Sequence, residues 1–192
     1  MNQRCLPMLA ARAEPFDSPE YLFEVKWNGI RALAARHTDS WDLWGRECAD
    51  YRPRYPEMDV LAALPPGTIL DGELVRLPQG IPDPEAILAR HQLSHPARIQ
   101  HASRHQPVTY MVFDLLAHQG LSLVGQPQER RAWLQALGQS HDAFGQLHIV
   151  SRKPKKSRVI FAIFVTFLII SPFKQLRFDT APAKQEPAPC AG

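Results

Sequence analysis

Lysine is nearly absent from most of this chain: the first 150 residues hold one, Lys26, against 13 arginines. Cysteine is scarce too. Cys5, Cys48 and Cys190 are isolated, with no paired spacing, which argues against a disulfide framework and makes a reducing compartment the default. The N-terminus lacks the basic-then-apolar pattern of a secretory signal, so a cytoplasmic protein is expected. Long apolar runs are missing as well. The longest, Val159 to Ile170, has 12 residues, or 15 when extended through Phe173, whereas a bilayer crossing takes about 20. No stable membrane partner is expected.

The lone lysine is therefore informative. A guanidinium, with a pKa above about 12, has no accessible neutral lone pair, whereas an amine near 10.4 can be pushed down by its surroundings. Lys26 is thus a candidate nucleophile. Around it, Tyr21 to Trp27 alternates with the period of a strand, which puts Glu24 and Lys26 on one face. Asn28 and Gly29 form a turn dipeptide, and Ile30 to Arg36 reads as a returning strand that carries Arg31. Such a hairpin places a lysine, a carboxylate and an arginine near one pocket. An ordinary hairpin with surface charges is the competing reading.

Two further segments share this character. In Thr68 to Leu77, Asp71 and Glu73 fall on one strand face, an arrangement suited to hydroxyl recognition or a divalent metal. In Val108 to Leu116, Phe113 and Asp114 stand on opposite faces, and an aromatic there could stack on a base. Taken singly, an Asp-Gly turn and a core phenylalanine explain both. His91, His95, His101 and His105 invite a metal reading, but no acidic or cysteine partner completes the set, and a solvated helix and loop is preferred. Helices are expected at Pro56 to Leu64, Asp83 to Leu93 and Pro127 to Leu137, a strand at Ser40 to Trp44, and loops at Pro65 to Gly67 and Gln79 to Pro84. The mixture is α+β, and about 150 residues suffice for one core.

In this order and spacing, the segments PMLA (Pro7 to Ala10), YLFEVKWNGIR, GRE around Arg46, LDGEL, YMVFDLL and QERRAWL resemble the nucleotidyltransferase domain of ATP-dependent DNA ligases, of the bacterial kind that includes the ligase module of ligase D. The resemblance covers residues 6–150 and implies an antiparallel-sheet, ATP-grasp-like adenylation domain. It implies ATP and Mg²⁺ as cofactors and a monomer acting on nicked duplex DNA in repair, recombination or replication. Carried over by motif, Lys26 would hold AMP through a phosphoramide bond and Glu24 would lie near the adenine. Arg31 and Arg46 would contact ribose or phosphate, Glu73 the ribose hydroxyl or a metal, and Phe113 would stack on the adenine ring. The family's first motif is usually K-x-D-G; here Asn28 replaces the aspartate, keeping the shape and losing the charge. That departure bears on catalytic rate more than on nucleotide binding.

The chain changes character near residue 151. Residues 151–192 carry eight basic and two acidic residues, leaving the first 150 with fourteen basic and seventeen acidic. The body is thus net acidic and is not expected to grip a duplex by charge, whereas the tail could supply weak, salt-sensitive attraction. The family's E-G-[VI]-x-x-K and W-x-K-x-K strands are not found, nor is an oligonucleotide-binding-fold domain, so a truncated adenylation domain with a basic and apolar tail is expected. For Val159 to Ile170 the readings are a buried or edge strand pair, a disordered appendage, or a membrane-associated segment; Ala181 to Gly192 is expected to be disordered. Three functions stay open: an impaired ATP-dependent DNA ligase, a non-catalytic nucleotide-binding remnant, and a membrane-associated protein. An RNA ligase or capping-type nucleotidyltransferase would share the lysine motif but fits PMLA and LFEVKWNGIR less well.

Overall fold

A computed structural model describes residues 4–8, 22–24, 26–126, 130, 132–137, 147–149 and 168–170. Its centre is a sheet of β2 (Ile30–Arg36), β3 (Trp41–Trp44), β4 (Thr68–Val75), β5 (Thr109–His118) and β6 (Leu121–Ser122), in the order β3-β2-β4-β5-β6. These neighbours all pair antiparallel, and β7 (Leu147–Ile149) adds to β5 in parallel. With helices on one side, this is the expected α+β architecture around an antiparallel sheet.

The period-2 pattern of the central strands sorts their residues onto two faces. Ala32, Ala34, Leu70, Leu74, Tyr110 and Val112 point into the main core, together with Met58, Leu61 and Ile87 from the covering helices. Each buried leucine or isoleucine there contributes about 1.5–3 kcal/mol relative to exposure. Gly72 has a packing reason to be glycine, since a Cβ would lie 2.6 Å from both the Met111 carbonyl oxygen and the Tyr110 ring. Tyr110 instead crosses this spot and donates its hydroxyl to the Ala32 carbonyl at 2.9 Å. On the other face, Leu33, Ala35 and Trp44 form a smaller cluster, and the N-terminal segment is tied over it by the Trp44 indole N–H to the Cys5 carbonyl, 2.8 Å.

The covering layer depends on polar ties as well as apolar burial. Arg90 and Glu57 form an ion pair at 3.1 Å with side chains only 1% and 5% exposed, and Glu57 also accepts the Val108 N–H at 3.2 Å. The Tyr55 hydroxyl meets His91 Nδ1 at 2.8 Å. Burial, followed by the charges of Arg54 and Arg90, lowers the His91 pKa, which favours a neutral ring that accepts the phenolic proton. His91 is thereby occupied structurally, and no cluster of three metal-ligating side chains occurs among the described residues.

Two of the helix expectations hold where the residues are described, with Pro127 to Glu129 and Arg131 lying outside them, and one changes type. Asp83 caps α1 (Pro84–His91), accepting the Ala86 N–H at 2.9 Å. A second helix, α2 (Pro96–His105), follows, and residues 130 and 132–137 are helical. Pro56–Ala63, however, is a 3₁₀ helix. Met58, Leu61 and Leu64 are all buried at a spacing of three, the period of a 3₁₀ helix, so this winding stacks all three on the core side.

The expected hairpin around Asn28–Gly29 does not form. β1 (Leu22–Glu24) pairs antiparallel with β8 (Leu168–Ile170), while both edges of β2 are taken by β3 and β4. Gly29 does not have a positive φ. Its need for glycine lies in close approach, because a Cβ would overlap the Leu74 carbonyl oxygen. β8 lies within the apolar run, which fits the strand reading at that point, and no described helix is long and apolar enough to cross a membrane. Ala181 to Gly192 lies outside the described residues. Cys5 is a free thiol.

Candidate active site

The second face of the sheet carries the charged residues singled out in the sequence. Antiparallel register places Arg31 opposite Glu73, and Leu33 opposite Asp71. Asp71 therefore lies diagonally across from Arg31, within reach of a long side chain. Arg31 donates through Nε to Asp71 Oδ1 at 2.6 Å and through Nη2 to Oδ2 at 2.7 Å. The two side chains are 11% and 4% exposed. Burial opposes charge on both groups. For Arg31 the hydrogen bonds and charge of Asp71 outweigh it and hold the guanidinium pKa above its ordinary value. For Asp71 burial pushes the carboxyl up and Arg31 pulls it back.

Phe113 completes this layer. The β4–β5 register slips between Asp71 and Gly72, so that Asp71 faces Asp114 and Gly72 faces Val112, with Phe113 unpaired between them. Such a bulge re-aims a side chain out of the regular pleat. The Arg31 guanidinium carbon lies 4.5 Å from the centre of the Phe113 ring, so one face of the ring carries a cation. Asp114 is held in turn by Arg130 Nη1 at 2.9 Å, which links the helix around 132–137 to the bulged strand.

Glu73 accepts the Gly29 N–H at 3.1 Å, tying the segment after Lys26 to β4. Burial raises the Glu73 pKa; Arg31, the Gly29 N–H and Arg46 oppose the rise, and Asp71 adds to it. Arg46 sits in the exposed turn after β3, shaped by the Cys48 N–H to Gly45 carbonyl bond at 3.0 Å and by a positive φ of 59° at Cys48. Its charge is felt at Glu73, so both residues belong to one electrostatic neighbourhood.

Lys26 is exposed and lies outside the regular strands, three residues ahead of Gly29. No ion pair or hydrogen bond engages its amine among the described residues. Next to it the Trp27 indole Nε1 is buried without a partner among them. Glu24 ends β1, opposite Leu168; Val25 lies outside the described residues, and with it the expected shared face of Glu24 and Lys26. The structure thus gathers Arg31, Glu73 and Phe113, with Arg46 at the margin and Lys26 leading into the cluster.

The partner that sequence reasoning left unassigned is Asp71. Its two-residue spacing from Glu73 was visible, but the strand register that delivers it to Arg31 was not. For a magnesium ion the donor set fits in a limited way: Asp71 spends both oxygens on Arg31, whereas Glu73 has one oxygen bonded to Gly29 and a second to offer. Magnesium often takes one or two carboxylates and completes its shell with phosphate oxygens and water.

The chain is 32% identical over 136 residues to the SPbeta prophage-derived DNA ligase-like protein LigB of Bacillus subtilis, covering 70% of this chain and 47% of that protein. It is 31% identical over 150 residues to DNA ligase C of Mycobacterium tuberculosis, covering 74% and 41%. Among solved structures, mycobacterial DNA ligase D complexed with ATP and MES superposes with a TM-score of 0.53 at 28% identity, covering 70% of this chain and 43% of that one. The ligase domain of M. tuberculosis LigD gives 0.54 at 27%, covering 71% and 44%. The chain therefore spans less than half the length of these relatives. Residues 7–159 match the ATP dependent DNA ligase domain, and the chain belongs to that family.

Proposed function

We propose that this chain carries the nucleotide-binding and self-adenylating chemistry of an ATP-dependent DNA ligase, with Lys26 as nucleophile. The observation that supports this most is the cluster of Arg31, Asp71, Glu73 and Phe113 on one sheet face, tied through Gly29 to the segment that begins at Lys26. The neutral Lys26 amine attacks the α-phosphate of ATP, forming an N–P bond as pyrophosphate leaves. AMP then passes to the 5′-phosphate of a nick, and the adjacent 3′-hydroxyl displaces it. Phe113 offers the ring face not covered by Arg31 to the adenine. Glu24 lies near the base, Arg31 and Arg46 contact ribose or phosphate through donors not spent on Asp71, and Glu73 takes the ribose hydroxyl or the metal. Bound Mg²⁺ offsets charge on the phosphates, and with the arginines it disfavours the protonated amine.

In this reading residues 6–150 form the adenylation domain, 151–192 a separate tail, and the partner is nicked duplex DNA bound by a monomer. The second reading, a nucleotide-binding remnant without catalysis, is favoured by Asn28 at the usual aspartate position. Incubation with α-labelled ATP and Mg²⁺, followed by a denaturing gel and mass spectrometry, separates the two. A covalent AMP on Lys26 that is lost in Lys26→Ala supports the ligase reading. Nucleotide binding with no adduct supports the remnant, and an adduct on a tail lysine overturns the assignment.

A further inference from the structure

We propose that one flank of α2 is a contact surface for the phosphate backbone of duplex nucleic acid, separate from the nucleotide cluster. The chain has 19 acidic residues, yet none lies between Ala86 and Phe113. In the same interval stand Arg90, Arg98 and Arg104 and four histidines. α2 takes its place through Ile99 and Ala102, which are buried, while Arg98, His101, Arg104 and His105 are exposed.

At helical spacing, Arg98, His101 and His105 form a single stripe, since residues three and four apart are neighbours, and Arg104, three residues after His101, borders the stripe on its solvent side. The His101 and His105 rings lie 4.3 Å apart. A cleft of about 430 Å³ runs along this flank and is lined by His95, Arg98, His101 and Gln106 over an apolar floor that includes Leu93 and Ala102. No carboxylate lines it.

Pairing sets these cations apart from most other arginines among the described residues. Arg31, Arg52, Arg90 and Arg130 each meet a carboxylate, and Arg36, Arg54 and Arg76 each bond a backbone carbonyl, whereas Arg98 and Arg104, like Arg46, have no ion pair among the described residues. Two fixed charges and imidazole N–H donors, with no competing acid, suit a row of phosphates. From Arg98 to His105 the helix advances about 10 Å at 1.5 Å per residue, roughly three nucleotides of one strand at about 3.4 Å each. Single strands are gripped mainly by aromatic stacking platforms, and α2 carries no Phe, Tyr or Trp. A duplex backbone is the better match.

The surface lies apart from the lysine chemistry. α2 packs on the Pro56–Ala63 segment, whose Met58 and Leu61 belong to the core on the sheet face opposite Arg31 and Glu73. The net acidity of the body thus conceals a local basic patch. It is a second contact for nucleic acid, and it does not depend on whether Lys26 is adenylated.

Fluorescence anisotropy of the whole chain with a labelled, unnicked duplex of about two helical turns, without ATP or Mg²⁺ and across a salt series, tests this. The double variants Arg98→Gln/Arg104→Gln and Arg98→Glu/Arg104→Glu are compared with the unmodified chain, with circular dichroism as the check on folding. Neutralisation is expected to reduce the slope of log affinity against log salt by about two, near 0.9 per phosphate contact, and charge reversal to weaken binding tenfold or more. Unchanged affinity and slope in folded variants overturn the proposal. Competition by polyglutamate as effective as that by DNA of equal charge also overturns it, and assigns the flank to an acidic protein.

Discussion

Asp71 holds Arg31 by two hydrogen bonds, at 2.6 and 2.7 Å, directly beside the ring of Phe113. The pair fixes the plane of the guanidinium, so the cation at the aromatic ring cannot swing away to solvent. Asp71→Asn removes the charge but keeps the shape, leaving a mostly buried arginine without its counter-ion. Removing one partner of such a pair costs about 3–5 kcal/mol. Urea unfolding is expected to show a loss of this order, together with weaker ATP binding. Arg31→Lys does not restore binding, because an ammonium cannot reproduce the two-pronged contact. Unfolding close to that of the unmodified chain for Asp71→Asn would contradict this account.

Glu73 provides a pH test. Its folded pKa is raised, chiefly by burial, so ionisation is harder in the folded chain than in the unfolded one. A raised carboxyl favours folding at pH below the unfolded pKa, and that contribution disappears as pH rises through the folded pKa. Glu73→Gln cannot ionise and can still accept the Gly29 N–H. It is expected to have a higher Tm than the unmodified chain at pH 7 and a similar one at pH 4. Thermal melts at several pH values check both the sign and the window, while metal-dependent ATP binding falls in the same variant.

Gly29 is constrained by space. A Cβ there would overlap the Leu74 carbonyl oxygen and approach the Glu73 Cγ and the Val75 Cγ1, each at 2.9 Å. Backbone atoms cannot yield as a flexible side chain can. Gly29→Ala is expected to destabilise by about 1–3 kcal/mol, in the range of other overpacked positions, and to weaken the tie to Glu73. Lower adenylation with an unaltered melting curve would mean that the residue acts only on chemistry.

Asn28→Asp restores the charge the family usually carries two residues after the lysine. A carboxylate there can orient the lysine ammonium or the metal before attack, and a contribution of about 1.4 kcal/mol is a tenfold rate change. Single-turnover adenylation of the two proteins decides the matter. Equal rates would show that the substitution is neutral.

Much of the candidate site is legible in the sequence because its proposed chemistry is local. The scarcity of lysine singles out Lys26, and the two-residue spacing by itself puts Asp71 and Glu73 on one face of a strand. The 3₁₀ winding of Pro56–Ala63 is legible in principle, through buried Met58, Leu61 and Leu64 at intervals of three. It escapes notice because an apolar segment that opens on proline suggests an ordinary helix. The hairpin expected at Asn28–Gly29 fails for a different reason: a turn-forming dipeptide between two strand-like segments looks the same whether those strands pair with each other or with others.

By itself the sequence determined which residues alternate between faces, which carry reactive or charged groups, and where α1 is capped. Those properties depend on neighbours within a few positions. Only the tertiary structure decided that β2 pairs with β4 in a register that brings Arg31 to Asp71, that a slip in β5 aims Phe113 at the same guanidinium, and that Gly29 closes on Glu73. Each of these contacts joins residues 40 or more positions apart, and strand register is set by the packing of both sheet faces together, a quantity no local segment contains.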